Sequence, residues 1–136
     1  MEKRDYDIEQ ARANYIAFEK YVCNIDRVEI IRVPDVAFIE AAQLATKDMH
    51  NGVWPGPPAL IAEVVTEPAR VAEVRERIDD FLHAGTAIAW SINAIDETVT
   101  VIPRRGSLWV CRDHDRVLSS PVLPHFYTRV YEFFGG

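Results

Sequence analysis

The chain has 136 residues, 49% hydrophobic and 26% charged, with 15 Lys plus Arg against 21 Asp plus Glu and a formal net charge of -6. That length suits one domain around one core, expected to span residues 1–136. The composition excludes disordered, collagenous and low-complexity chains. An acidic balance argues against passive nucleic-acid binding through phosphate contacts alone, although a carboxylate cluster that holds divalent cations is itself acidic.

No apolar run approaches the ~18 residues that a membrane helix needs. The start, Met1-Glu2-Lys3-Arg4-Asp5, mixes charges and leads into no apolar stretch, so no secretory signal is expected. Cys23 and Cys111 are the only cysteines, too few for a disulfide framework. A cytoplasmic location is the expectation.

Asp7 and Gln10 read as a capping box, and Ile8, Ala11, Tyr15, Phe18 and Val22 share one stripe, which predicts a helix over 8–21. A short β-branched strand is expected over 28–33 and a second over 36–39, with Pro34 at a strand start or edge because proline cannot donate to a ladder. Residues 41–58 read as a long mobile loop rich in turn residues, Asn51-Gly52 and Pro55-Gly56-Pro57-Pro58 among them. Residues 59–65 form a continuous apolar run with one acid embedded, the pattern of a strand covered on both faces.

Thr66-Glu67-Pro68 opens the next helix, Gly85 closes it, and Val71, Val74, Ile78, Phe81 and Leu82 form its predicted buried stripe. Residues 87–93 are another buried strand, and 98–102 with 108–111 flank Pro103-Arg104-Arg105-Gly106 as a hairpin. A last strand is expected near Val117 and a short amphipathic helix over 127–134. The order is helix, three strands, helix, strand, then extra strands and a terminal helix, which points to an α/β fold with a mixed central sheet flanked by helices.

Two acids do not fit a core. Glu63 sits inside a strand that should be buried on both faces, where an unpaired charge costs several kcal/mol. Asp35 follows Pro34 at the start of the preceding predicted strand. If the two strands are neighbours, about 4.8 Å apart, both carboxylates reach one divalent ion. The plain alternative is a salt bridge from either acid to Arg32 or Arg70.

The stretch Arg32-Val33-Pro34-Asp35-Val36-Ala37-Phe38-Ile39, then Gly56-Pro57-Pro58-Ala59-Leu60-Ile61-Ala62-Glu63-Val64-Val65, then the helix from Arg70 to Gly85, resembles the putative restriction endonuclease family of the PD-(D/E)XK nuclease superfamily. So does the ending Leu123-Pro124-His125-Phe126 with Val130, Glu132 and Phe134. The resemblance runs from about Arg27 to Phe134 and implies a restriction endonuclease-like αβββαβ core, with an extra C-terminal hairpin and short helix. The region before the "PD" strand is shorter than usual for the family.

By that resemblance Pro34-Asp35 is the "PD" and Glu63 the acid of "(D/E)XK". The lysine expected two residues on is Val65 here, and the helix position to which it has moved in this family is Arg77. The resemblance implies Mg²⁺ (or Mn²⁺) held by Asp35, Glu63 and the backbone carbonyl of Val65, with DNA as substrate and a homodimer as a plausible assembly. Arginine does not lose its proton in proteins, so Arg77 could neutralise phosphate charge but not act as a base. Its other reading is a surface ion pair with Glu73, four residues earlier. The missing lysine and the acidic charge also fit an inactive relative that serves as a binding or oligomerisation module.

Other residues carry less. His50, His83, His114 and His125 have no zinc-ligand spacing, and His114, between Asp113 and Asp115, reads as solvated. Arg104 and Arg105 read as a soluble hairpin tip, Glu67 and Glu73 as solvated helix residues, and Trp54 and Trp90 as core or interface.

Overall fold

The computed structural model describes residues 20–44, 52–117, 122–123 and 128–135. The helix expected over 8–21 lies outside these residues, except for its last two positions. Those two belong instead to a strand, β1 (Lys20–Ile25), in which Tyr21 and Cys23 are buried and their neighbours less so. This alternation has the period of a strand half-covered by a core, and aromatic and β-branched residues suit it.

β1 turns back into β2 (Val28–Arg32) through Asp26 and Arg27, with Ile25 opposite Val28. Both turn residues have positive φ, 50° and 70°, as a two-residue turn that follows the twist of its strands requires. β3 (Val36–Phe38) follows Pro34, and a single helical turn, α1 (Ala41–Leu44), follows β3. Residues 52–58 differ from the mobile loop expected there. β4 (Val53–Trp54) pairs parallel with β1, and Trp54 is fully buried, so a large aromatic anchors this stretch to the core.

β5 (Leu60–Val65) is the buried strand that the apolar run predicts. A 3-10 turn over Pro68–Arg70 leads into α2 (Val71–Ala84), which ends at Gly85 with φ 128°. The Gly85 amide donates to the carbonyls of Phe81 and Leu82. Val74, Ile78 and Phe81 are buried as predicted, whereas Val71 is exposed because it begins the helix beyond the core's edge. β6 (Ile88–Asn93), β7 (Thr98–Pro103) and β8 (Trp109–Arg112) complete the main sheet.

The strands form two sheets. One has the order β2-β1-β4 and the other β3-β5-β6-β7-β8. In the second, only β5 and β6 run parallel, joined by α2, and the other pairs are antiparallel. A parallel pair needs such a crossover, which brings α2 over one face of the sheet. On that face Ile61, Val65 and Ala89 pack with Val74, Ile78 and Phe81 of the helix and with Tyr21 and Cys23 of β1. On the other face Leu60, Ala62, Trp90, Val99 and Val101 form a second core with Val117 and Val130.

The expected strand near Val117 is a single bridge, Arg116 to Arg129, extended by a hydrogen bond from the Val117 amide to Thr128. The terminal helix is one turn, α3 (Val130–Phe133), with Phe133 edge-on to Trp90 at 6.2 Å. Among the described residues, no helix is long and apolar enough to cross a membrane.

Candidate functional site

Register brings the two acids together. β3 and β5 are antiparallel neighbours, with Val36 opposite Ala62, so one step further along the ladder sets Asp35 opposite Glu63. Alternation then directs Asp35, Ala37 and Ile39 of the first strand, and Ile61, Glu63 and Val65 of the second, to the face that α2 covers. Asp35 is exposed at the strand's start, and one of its oxygens, Oδ2, accepts a 2.7 Å hydrogen bond from the Val64 amide. That bond ties the acid to β5, the strand that carries Glu63.

Glu63 is fully buried. Its partner is Arg77, whose Nε donates to Oε1 at 2.9 Å and whose Nη2 donates to Oε2 at 2.7 Å. The fork matches the carboxylate geometrically and supplies the countercharge that a buried acid needs. Burial pushes the Glu63 carboxyl upward; the Arg77 hydrogen bonds and charge oppose this, and neighbouring Asp35 raises it further. Arg77 in turn is held still more firmly protonated, first through its hydrogen bond to Glu63.

A second tier steadies the arginine. Glu73 lies one helical turn before Arg77, 3.7 Å from Nη1, and accepts a 3.0 Å hydrogen bond from Arg70. The expected surface pair of Arg77 with Glu73 is therefore present as a longer contact, while the hydrogen bonds of Arg77 go to Glu63. Neither Arg32 nor Arg70 is the partner of the acids: Arg32 pairs with Asp80 at 2.8 Å and Arg70 with Glu73. The Val65 carbonyl accepts a 2.9 Å hydrogen bond from the Ala94 amide, which leaves one lone pair unspent.

The remaining sequence candidates stand apart from this cluster. His83 lies 3.6 Å from Asp26, His114 packs edge-on against Tyr131, and Trp54 and Trp90 are buried. Arg104 and Arg105 sit at the β7–β8 tip, at the opposite end of β7 from the Glu97 turn. His50 and His125 lie outside the described residues. Sequence reasoning missed the Arg77–Glu63 pair, offering Glu73 to Arg77 and Arg32 or Arg70 to the acids, because 14 residues separate the two and only the packing of α2 on β5 joins them.

Can this donor set take a divalent cation? Asp35 raises the proton affinity of the facing Glu63 carboxyl, and two such carboxylates together suit a shared proton or a shared cation between them. Arg77 occupies about half of the lone-pair sites on Glu63, and the Val64 amide occupies one on Asp35, so oxygen sites remain on both acids. Mg²⁺ needs only one or two protein carboxylates when water and substrate phosphate complete its shell. The donor chemistry fits such an ion, although no group of three or more His, Cys, Asp or Glu that could hold a metal occurs among the described residues.

No curated protein matches the chain. Among solved structures, the fold is similar to that of a "putative nuclease belonging to DUF820" from Anabaena variabilis ATCC 29413, with a TM-score of 0.71 at 16% identity. The match covers 88% of this chain and 66% of that one, so the chain spans just under two thirds of the relative's length. The family model Uma2, described as "Putative restriction endonuclease", matches residues 7–130. With nearly its whole length matched, and with paired acids at the junction of β3 and β5, the chain belongs to the Uma2 family of putative restriction endonucleases.

Proposed function

We propose that the protein is a metal-dependent endonuclease that hydrolyses DNA phosphodiester bonds. The observation that carries this reading is the convergence of Asp35 and Glu63 from adjacent strands beside a half-buried arginine, Arg77. Asp35 and Glu63 would hold Mg²⁺ or Mn²⁺, with the free lone pair of the Val65 carbonyl as a further oxygen donor. The ion's contribution, when bound, is Lewis acidity toward the phosphate and a lowered pKa for coordinated water.

The chain's own residues do the rest. Asp35 stays oriented by the Val64 amide, and Glu63 by the Arg77 fork, so neither carboxylate has to be organised at the moment of reaction. Two of the five guanidinium N–H groups of Arg77 are spent on Glu63, and those remaining can donate to a substrate phosphate. Arg77 stays charged throughout, so its role is to offset phosphate charge and not to accept a proton. A single domain acting in the cytoplasm, and a homodimer with one site per DNA strand, belong to the same reading.

A second reading has its own support. The Arg77 fork already neutralises Glu63, so an inactive relative that keeps the fold as a binding or oligomerisation module needs no metal for stability. Plasmid cleavage in Mg²⁺, in Mn²⁺ and in excess chelator separates the two. Metal-dependent nicking that is lost in Asp35→Ala supports the nuclease, and absence of cleavage under all conditions supports the module.

A further inference from the structure

The row that contains the two acids continues across the sheet. Glu63 lies opposite Ser91 on β6, Ser91 opposite Thr100 on β7, and Thr100 opposite Val110 on β8. Because facing residues in a sheet point to the same side, Ser91 and Thr100 share the face of Asp35 and Glu63. Lower on this face the residues are apolar and buried, among them Ile61, Ala89 and Ile102. At the level of the acids the face changes character, and Ser91 and Thr100 are only half-buried.

One level higher, the polar groups of β6 and β7 are spent locally. Asn93 accepts from the amides of Ile95 and Asp96, and the Thr98 hydroxyl donates to Asp96. The Ser91 and Thr100 hydroxyls, by contrast, make no hydrogen bond among the described residues. At the sheet's edge, Arg112 lies opposite Thr98, and alternation along β8 puts it on the same face. It is exposed and makes no side-chain ion pair among the described residues.

We propose that Ser91, Thr100 and Arg112 form a track for the nucleic-acid strand that enters the Asp35–Glu63 site. This rests on the nuclease reading and assigns the direction in which substrate lies on the protein. Three strand spacings separate β5 from β8, roughly 14 Å, so the track reaches beyond the scissile phosphate to its neighbours. The hydroxyls donate to non-bridging phosphate oxygens, and Arg112 supplies the charge at the far end. A hydroxyl pair suits this task on an acidic protein, because it binds backbone without adding a field that traps nucleic acid indiscriminately.

The test is single-turnover cleavage of a labelled duplex in Mg²⁺, with enzyme in excess, for the wild type, S91A/T100V and R112Q. For S91A/T100V the expected result is a rise of about tenfold in the enzyme concentration at half-saturation, with the maximal rate unchanged. R112Q, at an exposed position, should reduce the dependence of log affinity on log salt by about one. Wild-type cleavage with unchanged half-saturation and salt slope in the variants overturns the track and leaves the nuclease standing. A wild type that neither binds nor cleaves the duplex overturns both, and is recognised because it needs no variant to be seen.

Discussion

Arg77 grips Glu63 with two hydrogen bonds, of 2.9 and 2.7 Å, across the boundary between α2 and β5. The acid is wholly buried and the arginine's side chain is 21% exposed. The pair therefore serves two ends at once. It lets a charged residue lie in the middle of an apolar strand, and it leaves the outer part of the guanidinium accessible beside Asp35.

Breaking the pair from one side should be costly. Removing one partner of a buried ion pair leaves an uncompensated charge, typically at about 3–5 kcal/mol. Arg77→Ala is expected to lose stability on that scale at neutral pH in urea unfolding. The double variant Arg77→Ala, Glu63→Gln should recover a large part of it, since the charge that needed compensation is gone. Equal losses in the single and double variants would show that Arg77 stabilises through packing alone.

The Glu63 carboxyl sits above its ordinary value, chiefly through burial. The folded state therefore holds this proton at pH values where the unfolded chain has released it. The contribution of Glu63 is then fully present below the unfolded value, near 4.5, and is lost as pH rises through the raised folded value. Wild-type stability relative to Glu63→Gln should fall over that window. Parallel profiles for the two proteins would contradict the assignment. Cation binding should weaken as pH drops through the same window, because the ion competes with that proton.

Asp35 has two separable roles, as an acceptor for the Val64 amide and as a charged ligand. Asp35→Asn keeps an oxygen that can accept the amide hydrogen bond, whereas Asp35→Ala does not. Both should abolish metal-dependent cleavage. Only Asp35→Ala should also cost folding stability, by about 1.5–3 kcal/mol, the range for a lost hydrogen bond to a charged group. Thermal unfolding of the two variants checks this, and full activity in Asp35→Asn would remove the carboxylate from the site.

Gly85 ends α2 at φ 128°, and a Cβ there would meet Pro57 Cγ at 3.4 Å. Alanine cannot adopt this backbone without strain. Gly85→Ala should therefore destabilise the fold by more than ~1 kcal/mol, despite alanine's better helix propensity. A neutral effect in a denaturant titration would show that the chain can reroute between α2 and β6.

The parts of the fold that were legible in the sequence were those with a strong local period. The strand around Glu63 announced itself as an apolar run, and α2 through Val74, Ile78 and Phe81, with Gly85 as its stop. β1 did not, because the Asp26-Arg27 turn lacks the glycine or asparagine that marks most two-residue hairpins. Asp35 and Glu63 were visible as acids misplaced in apolar surroundings. The choice of Glu63 over Glu73 by Arg77, and the alignment of Ser91 with Glu63, depend on the crossover and register, which no local pattern encodes.

The central claim is that Asp35 and Glu63 hold one catalytic divalent ion. Calorimetric titration of Mg²⁺ and Mn²⁺ into the wild type and an Asp35→Ala, Glu63→Gln variant tests it, with plasmid cleavage assayed on the same samples. The account predicts saturable binding and cleavage in the wild type, both lost together in the variant, whose folding is checked by circular dichroism. Binding of equal strength in the two proteins, or cleavage by the wild type in excess chelator, would contradict it.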